Sequence, residues 1–376
     1  MRVADVIDLI EDWYPPHRAE DWDAVGLVCG DPEAEVRTVL LAVDPVLAVA
    51  DEAVALDADL LVVHHPLYLR GTTTVAASTP KGRVVHRLLG AGCGLLTAHT
   101  NADSPAGGVS AAIAEALGLL DVVPLEPDSS GPRDKLVVFV PAAHAEAVRN
   151  ALAEAGAGRI GDYDFASFTA PGEGRFRPLP GANPAIGTVG DLAVAEEVRV
   201  EVIADRHLRG DLVSAMIAAH PYEEPAYDVF ELADLPAGDR GSGRLGRLLE
   251  PTTLRAFAEA AAAVFPQTAT GLRVAGDPDR LVETVALCGG AGDFLLDRAR
   301  TSGADVYVTS DLRHHPASES VEAALLHGGP ALVDVAHSAA ESLWLPVLRD
   351  RLLQAVGDTV TVHISTTNTD PWTFRV

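Results

Sequence analysis

Hydrophobic positions in this chain fall into short unbroken runs separated by stretches with helical spacing. Val36–Val43 is an apolar run, Pro45–Leu56 has the spacing of a helix, and Asp59–Val63 is a second apolar run that stops at His64-His65-Pro66. Lys81–Leu89 then reads as a helix, Gly94–Ala98 as a strand and Gly107–Leu117 as a helix. Apolar runs without alternation are strands covered on both faces. Strands and helices taking turns make βαβ units around a parallel sheet. The N-terminal MRVADVIDLIEDWYPP reads as an amphipathic helix carrying acids.

The same order returns near the other end. Glu283–Leu287, Asp305–Val308, Ala331–Val335 and Thr359–Ile364 read as strands, and Gly292–Thr301, His315–Leu326 and Ser338–Leu352 as helices. ADLLVVHHP (Ala58–Pro66) followed by LLTAHTNAD (Leu95–Asp103) is matched by ADVYVTSD (Ala304–Asp311) followed by ALVDVAHSAAE (Ala331–Glu341). Both copies end in a strand, a histidine and an acid four residues later. An internal repeat of this kind predicts a pseudo-symmetric, two-lobed α/β core.

Between the copies the pattern changes, with Gly131-Pro132 and the Gly-rich Gly238–Gly246 as boundaries. Lys135–Val140, Glu197–Ile203 and Ala226–Glu231 read as strands and Ala142–Ala155 and Leu208–Ala219 as helices, while Arg159–Pro184 is rich in Gly, Pro and aromatics. That order suits a small α+β domain over residues 131–238, inserted into a discontinuous core made of residues 1–130 and 239–376.

A chain of 376 residues buries a large core without staples, so a metal site here would serve function rather than hold the fold. The formal charge of −26 argues against nucleic acid or an anionic membrane as partner. No apolar stretch is long enough to span a bilayer, and the N-terminus lacks a signal-type apolar core. Cys29, Cys93 and Cys288 are isolated, with no CxxC spacing, and Cys93 and Cys288 sit in apolar surroundings. A reduced, cytoplasmic protein is expected. No Walker A, GxGxxG or GxSxG motif is present.

The candidate chemistry sits at the carboxyl ends of the predicted strands, where open α/β sheets bind ligands. His64-His65, His99-Thr-Asn-Ala-Asp103 and His337-Ser-Ala-Ala-Glu341 each follow a buried strand. One His with an acid four residues on is an ordinary helix surface. Three strand ends delivering imidazole or carboxylate to the same edge point to metal. Two ions held about 3.5–4 Å apart would clamp a substrate and supply a reactive hydroxide. The absence of sulfur ligands disfavours a structural zinc site and leaves zinc, iron and manganese open. Asp311 and His314, in Thr309–His315, read either as general acid/base or ligand-supporting groups or as a helix cap with solvent-facing histidine. Asp23 reads as a turn or cap residue, with Gly26 needed for backbone geometry, and His220-Pro-Tyr-Glu-Glu224 as structural.

DWDAVGL (Asp21–Leu27), VVHHPL (Val62–Leu67), AHTNAD (Ala98–Asp103), TSDLRHH (Thr309–His315) and DVAHSAAE (Asp334–Glu341), taken in this order, resemble the Nif-three-like dinuclear metal centre family, whose members are often labelled GTP cyclohydrolase I type 2 homologues. The resemblance covers essentially the whole chain. AHPYEEPAYDVFEL (Ala219–Leu232) looks like the long bacterial form with a PII- or CutA-like, ferredoxin-like insert. It implies a toroidal homohexamer with two divalent ions per subunit, ligated by His64, His65, Asp103, His337 and Glu341, with Glu341 and Asp103 touching both. His99 matches a position near the metals without being a ligand. His99, Asp311 and His314 are the candidate proton-moving groups. Ser310 replaces the usual Gly and Ala24 a common Asn. The implied activity is metal-dependent hydrolysis of a nucleotide or related small molecule. A non-catalytic metal-handling protein or regulatory hexameric scaffold is the alternative.

Overall fold

A computed structural model describes residues 1–129, 131–161, 163–233 and 236–376. Ser130, at which the first core segment is expected to end, and Asp162, inside the Gly/Pro-rich stretch, lie outside the described residues. The chain separates into two compact units, one of Met1–Asp128 with Gly238–Val376 and one of Ser129–Ala237. In chain order the strands are β1 (Gly26–Cys29), β2 (Thr38–Ala42), β3 (Leu60–Val63), β4 (Gly94–Thr97), β5 (Leu120–Ser129), β6 (Arg133–Pro141), β7 (Ser167–Phe176) and β8 (Ala193–Asp205). They continue as β9 (Tyr227–Glu231), β10 (Pro236–Thr253), β11 (Arg273–Ala275), β12 (Leu281–Ala291), β13 (Val306–Ser310), β14 (Ala331–Val335) and β15 (Thr361–Ile364).

The larger unit holds two sheets, ordered β1-β4-β3-β2-β15 and β11-β14-β13-β12-β10-β5. In each, three successive strands run parallel, β2-β3-β4 in one and β12-β13-β14 in the other. A short strand that precedes them, β1 or β11, lies antiparallel on the far edge. The repeat read from the sequence is therefore a repeat of topology. One hydrogen-bonding device recurs with it. Asp59 Oδ2 accepts from the backbone N–H of Arg37 and Thr38, and Asp305 Oδ2 accepts from Glu283 and Thr284, so each carboxylate pins the start of the first parallel strand to the second.

The parallel strands read as unbroken apolar runs because both faces are covered. Val39, Leu41, Leu60, Val62 and Leu96 face a core shared with Val285, Leu287, Val306, Val308 and Val333 of the second sheet. Tyr14, Ile113, Trp344 and Leu348 fill the same core from helices and their ends. On the outer faces Leu40, Leu61 and Val63 pack on the helices Leu47–Ala55 and Pro80–Gly90, and Tyr307 and Leu332 pack with Leu295 and Ala299. Cys93 and Cys288 are buried free thiols.

The smaller unit is α+β, a four-stranded antiparallel sheet ordered β7-β8-β6-β9. Leu136, Val138 and Val140, alternate residues of β6, pack with Val148 and Leu152 of the helix Ala145–Glu154 and with Leu212 and Met216 of the helix Arg209–Ala219.

Three differences from the expected elements have physical causes. Ser338–Leu352 is not one helix but two, His337–Glu341 and Trp344–Val356. The break lets Glu341 and Trp344 both be buried. The stretch Gly292–Thr301 begins with a 3-10 turn over Asp293–Leu295 before the helix Leu296–Thr301. The strands β5 and β7 were not legible as strands. Each carries proline, β7 carries two glycines as well, and each lies at the edge of its sheet, where a missing N–H is tolerated.

The shared staple predicts matched losses. Asp59→Ala and Asp305→Ala should each destabilise the larger unit by about 1–3 kcal/mol, because two backbone donors lose a charged acceptor. Urea titration measures this, and two variants with unchanged midpoints would show that the carboxylates are not needed. Replacing residues 129–237 by a short Gly-Gly turn should leave a cooperatively melting core, since Asp128 and Arg240, which would flank the join, already form an ion pair at 3.5 Å. A featureless calorimetric trace from that variant would refute the independence of the larger unit.

Candidate metal centre

The carboxyl ends of the parallel strands of both sheets supply one cluster of side chains. His64 and His65 follow β3, and their backbone N–H groups extend its ladder onto Ala42 and Val43. His99 lies just past β4 and caps the short helix Thr100–Asp103. In the other lobe His337 and Glu341 open and close a one-turn helix just past β14.

Each imidazole is oriented through Nδ1. His64 Nδ1 lies 2.9 Å from Ala98 O, His65 Nδ1 2.7 Å from Asp44 Oδ1, His99 Nδ1 2.8 Å from Asp23 Oδ1 and His337 Nδ1 2.7 Å from Asp311 Oδ2. A carboxylate or carbonyl at Nδ1 fixes the proton there and leaves the Nε2 lone pair for a metal or another proton. The rings crowd together, with centroids 5.1 Å apart for His64 and His99 and 5.0 Å for His65 and His337. Trp344 meets His64 edge-on at 5.5 Å, and its Nε1 donates to Tyr14 Oη at 3.2 Å, so the floor is stiff and apolar.

The Nε2 atoms converge on Glu341. His337 Nε2 is 2.8 Å from Oε1 and His65 Nε2 is 2.9 Å from Oε2, while His64 Nε2 stands 3.5 Å from both Glu341 Oε1 and Asp103 Oδ1. Three of these atoms, His64 Nε2, Asp103 Oδ1 and Glu341 Oε2, are out of contact with water and lack a hydrogen bond of acceptable geometry. Buried polar atoms are seldom left unpaired, and nitrogen and carboxylate oxygens left so side by side are a place that a cation could satisfy. Two overlapping groups, His64 with His65 and His99, and His65 with His337 and Glu341, bring their ligand atoms within 4.8 Å of one another and could hold metal. The donors are nitrogen and oxygen, which suits zinc, iron or manganese.

The electrostatics point the same way. Burial favours the neutral forms of His65 and His337, yet the Glu341 charge with Asp44 in one case, and the bonds to Asp311 and Glu341 in the other, raise both to about 10. Burial would also push Glu341 up, but the charges of His64 and His65 hold it well below the usual carboxylate range. Asp103 is raised, by burial first and then by the like charge of Glu341, against the pull of His64. The cluster thus favours positive charge at its centre, which a bound cation could supply in place of protons.

The structure brings His64, His65, His99, Asp103, His337 and Glu341 together, with Asp311 behind His337. It does not bring in His314. That residue opens the helix His314–His327, is exposed, and meets the ring of His315 edge-on. Asp23, read from the sequence as a turn or cap residue of its own motif, instead accepts from Thr100 N across the fold, and the same carboxylate orients His99. Gly26 has φ +100°. Ser310 needs no positive φ, which falls instead on Asp311 at 55°. His220 and Tyr222 are structural, bonded to Phe139 O and Glu197 respectively.

Two contributors escaped the sequence reading. Asp44 follows a buried strand just as His64 does, and that position was its signal. Gly290 ends the Gly-rich close of β12, where a Cβ would meet Glu341 Oε1 at 2.8 Å on a backbone with φ +68°. Only a glycine leaves room for the carboxylate there.

Among the described residues no helix is long and apolar enough to cross a membrane. The model of the family described as Duf34/NIF3 (NGG1p interacting factor 3) matches residues 1–371. The chain is 50% identical over 373 residues to the GTP cyclohydrolase 1 type 2 homolog of Mycobacterium tuberculosis, covering 99% of this chain and 97% of that one. The Bacillus subtilis protein of the same name is 37% identical, with 98% and 97% covered. The crystal structure of a Bacillus cereus protein related to NIF3 aligns with TM-score 0.68 at 36% identity, over 100% of this chain and 99% of that one. A Staphylococcus aureus crystal structure aligns with TM-score 0.79 at 26% identity, again over 100% and 99%. By sequence over its whole length and by fold, the chain belongs to the Duf34/NIF3 family.

Proposed function

We propose that this protein is a dinuclear metal-dependent hydrolase of a nucleotide or related small molecule, working in the cytoplasm as a homohexamer. The observation that carries the metal reading is the overlap of two ligand groups at His65, beside unpaired buried atoms of His64, Asp103 and Glu341. His64, His65, Asp103, His337 and Glu341 would hold the ions between them. When bound, such a pair supplies Lewis acidity and a nucleophile drawn from water at neutral pH. The chain's own groups do the rest. Asp44 and Asp311 lock the His65 and His337 rings, Trp344 and Tyr14 keep water from the back of the site, and His99 Nε2, with Nδ1 held by Asp23, carries a proton to or from the reacting group. The relatives' name, GTP cyclohydrolase 1 type 2 homolog, favours a nucleotide substrate. A metal-handling role is the second reading. Its support is that His337 and Asp311 line an open cavity, through which an ion can exchange.

Elemental analysis of protein purified without chelator or metal resin should find about two divalent ions per chain. His64→Ala with Glu341→Ala should lose most of that metal while melting normally. A full metal complement in the double variant would refute the ligand set. GTP turnover by the loaded protein that disappears in Asp103→Ala favours the hydrolase, and loaded protein without turnover favours metal handling.

The support behind His65 is also testable. Thr369 Oγ1 donates to Asp44 Oδ2, the oxygen that His65 does not use. Thr369→Val should weaken one ion by about tenfold in a competition titration, with Thr369→Ser restoring it. Equal affinities in all three proteins would remove Thr369 from the site.

A further inference from the structure

The smaller unit carries chemistry that the metal centre does not use. One face of its sheet packs on two helices through Leu136, Val138 and Val140 of β6 and Val200 and Val202 of β8. Side chains alternate along a strand, so Phe139 of β6 and Glu197 of β8 stand on the other face. A cavity of about 270 Å³ opens there, with Pro178, Pro184 and Ile186 of the loop between β7 and β8 on its wall. The loop is fastened, since Asn183 N donates to Glu223 Oε2 at 2.9 Å and Gly190 N to Pro178 O at 2.8 Å. The volume lies just under the range of about 300–1,000 Å³ usual for ligand pockets, so it suits a small molecule.

Glu197 is the unusual residue on this wall. It is 9% exposed, and among the described residues it forms no ion pair. Arg175, also on the wall, pairs with Glu173 at 2.7 Å, and Arg199 pairs with Glu201 at 3.0 Å. His220 is no counter-charge either. Its Nδ1 accepts from Tyr222 N at 3.0 Å while its Nε2 donates to Phe139 O at 3.0 Å, which is the pattern of a neutral imidazole. Glu197 Oε1 accepts from Tyr222 Oη at 2.9 Å. Oε2 has no hydrogen bond among the described residues, and unlike the unpaired oxygens of Asp103 and Glu341 it is not sealed from solvent. Gly174 of β7 makes room for it, because a Cβ there would meet Oε2 at 2.1 Å. Buried carboxylates are seldom left without opposite charge. Phe139, Phe176 and Tyr222 complete the wall, the last two edge to face at 5.6 Å, and the exposed Glu223 and Glu224 add further negative charge.

We propose that this cavity binds a small organic ammonium ion, whose N–H donates to Glu197 Oε2 and whose apolar body lies against Phe139, Phe176 and Tyr222. The carboxylate selects a cation, and the faces of aromatic rings favour the same charge. A bare metal ion is disfavoured, because one buried carboxylate and one phenol are too few ligands. The site lies within residues 139–226 and does not depend on the metal reading.

Benzylamine, benzyl alcohol and benzoate share a ring and differ in charge, and they are the probes. Each is titrated into the metal-loaded full chain labelled at its isoleucine methyl groups. The reporter is the NMR signal of Ile186, assigned by its loss in Ile186→Val. Benzylamine should shift that signal and bind at least about tenfold more tightly than benzyl alcohol, and benzoate should leave it unmoved. Glu197→Gln keeps the size and an acceptor for Tyr222, so it should abolish the preference for the amine while the other isoleucine signals stay in place. Gly174→Ala keeps the charge but displaces the carboxylate, and should weaken benzylamine alone. Removing the metals by His64→Ala with Glu341→Ala should leave the titration unchanged. An Ile186 signal unmoved by millimolar benzylamine overturns the proposal, as does equal affinity for amine and alcohol. So do a preference that survives in Glu197→Gln, full amine affinity in Gly174→Ala, and a response lost together with the metals.

Discussion

Glu341 is a carboxylate only 2% exposed to solvent, and the centre is organised around satisfying it. A buried charge is tolerated only where opposite charge and hydrogen bonds meet it at close range. Here three imidazole Nε2 atoms stand within 3.5 Å of its oxygens. They can do so only because each ring is turned by a bond at Nδ1, from Ala98 O, Asp44 or Asp311. The acceptors belong to the strand ends and their loops, so the register of the parallel strands sets the aim of every ring. Gly290 completes the arrangement by leaving the space that Glu341 occupies.

The two lobes divide this work unequally. Their skeletons match down to the aspartate staple between adjacent strands, Asp59 in one and Asp305 in the other. Where the first lobe ends its second parallel strand in His64-His65, the second ends in Ser310-Asp311. One copy therefore presents two imidazoles to the centre. The other presents a carboxylate that turns His337 and a serine whose buried hydroxyl has no partner among the described residues. The His–acid helices are also not in strict register, since β14 has five residues and β4 four. A duplicated scaffold with diverged strand ends yields an asymmetric cluster. The C-terminal segment adds a further layer, because the Thr369 bond to Asp44 ties the tail to the ring of His65.

Much of this was legible in the chain. The unbroken apolar runs announced strands buried on both faces, and the recurrence of Ala-Asp followed by such a run announced the repeat. His64-His65, His99 with Asp103, and His337 with Glu341 stood out because each group follows a buried strand, and the choice of His64, His65, Asp103, His337 and Glu341 as ligands came from the family resemblance. The edge strands β5 and β7 were hidden, since proline and glycine break the pattern that reports a strand, and an edge tolerates both. His314 was left open between a proton-moving group and a solvent-facing histidine, and it opens a helix with its side chain exposed.

What the sequence by itself determined is the set of elements, the repeat and the residue types gathered at strand ends, because periodicity and local chemistry are properties of neighbours in the chain. What only the tertiary structure decided is which of those residues meet. Asp23 with His99, Asp44 with His65, Gly290 with Glu341 and Thr369 with Asp44 are contacts between segments far apart in sequence. Each depends on the strand order of a sheet and the packing of the two sheets on a shared core, and no local pattern encodes either.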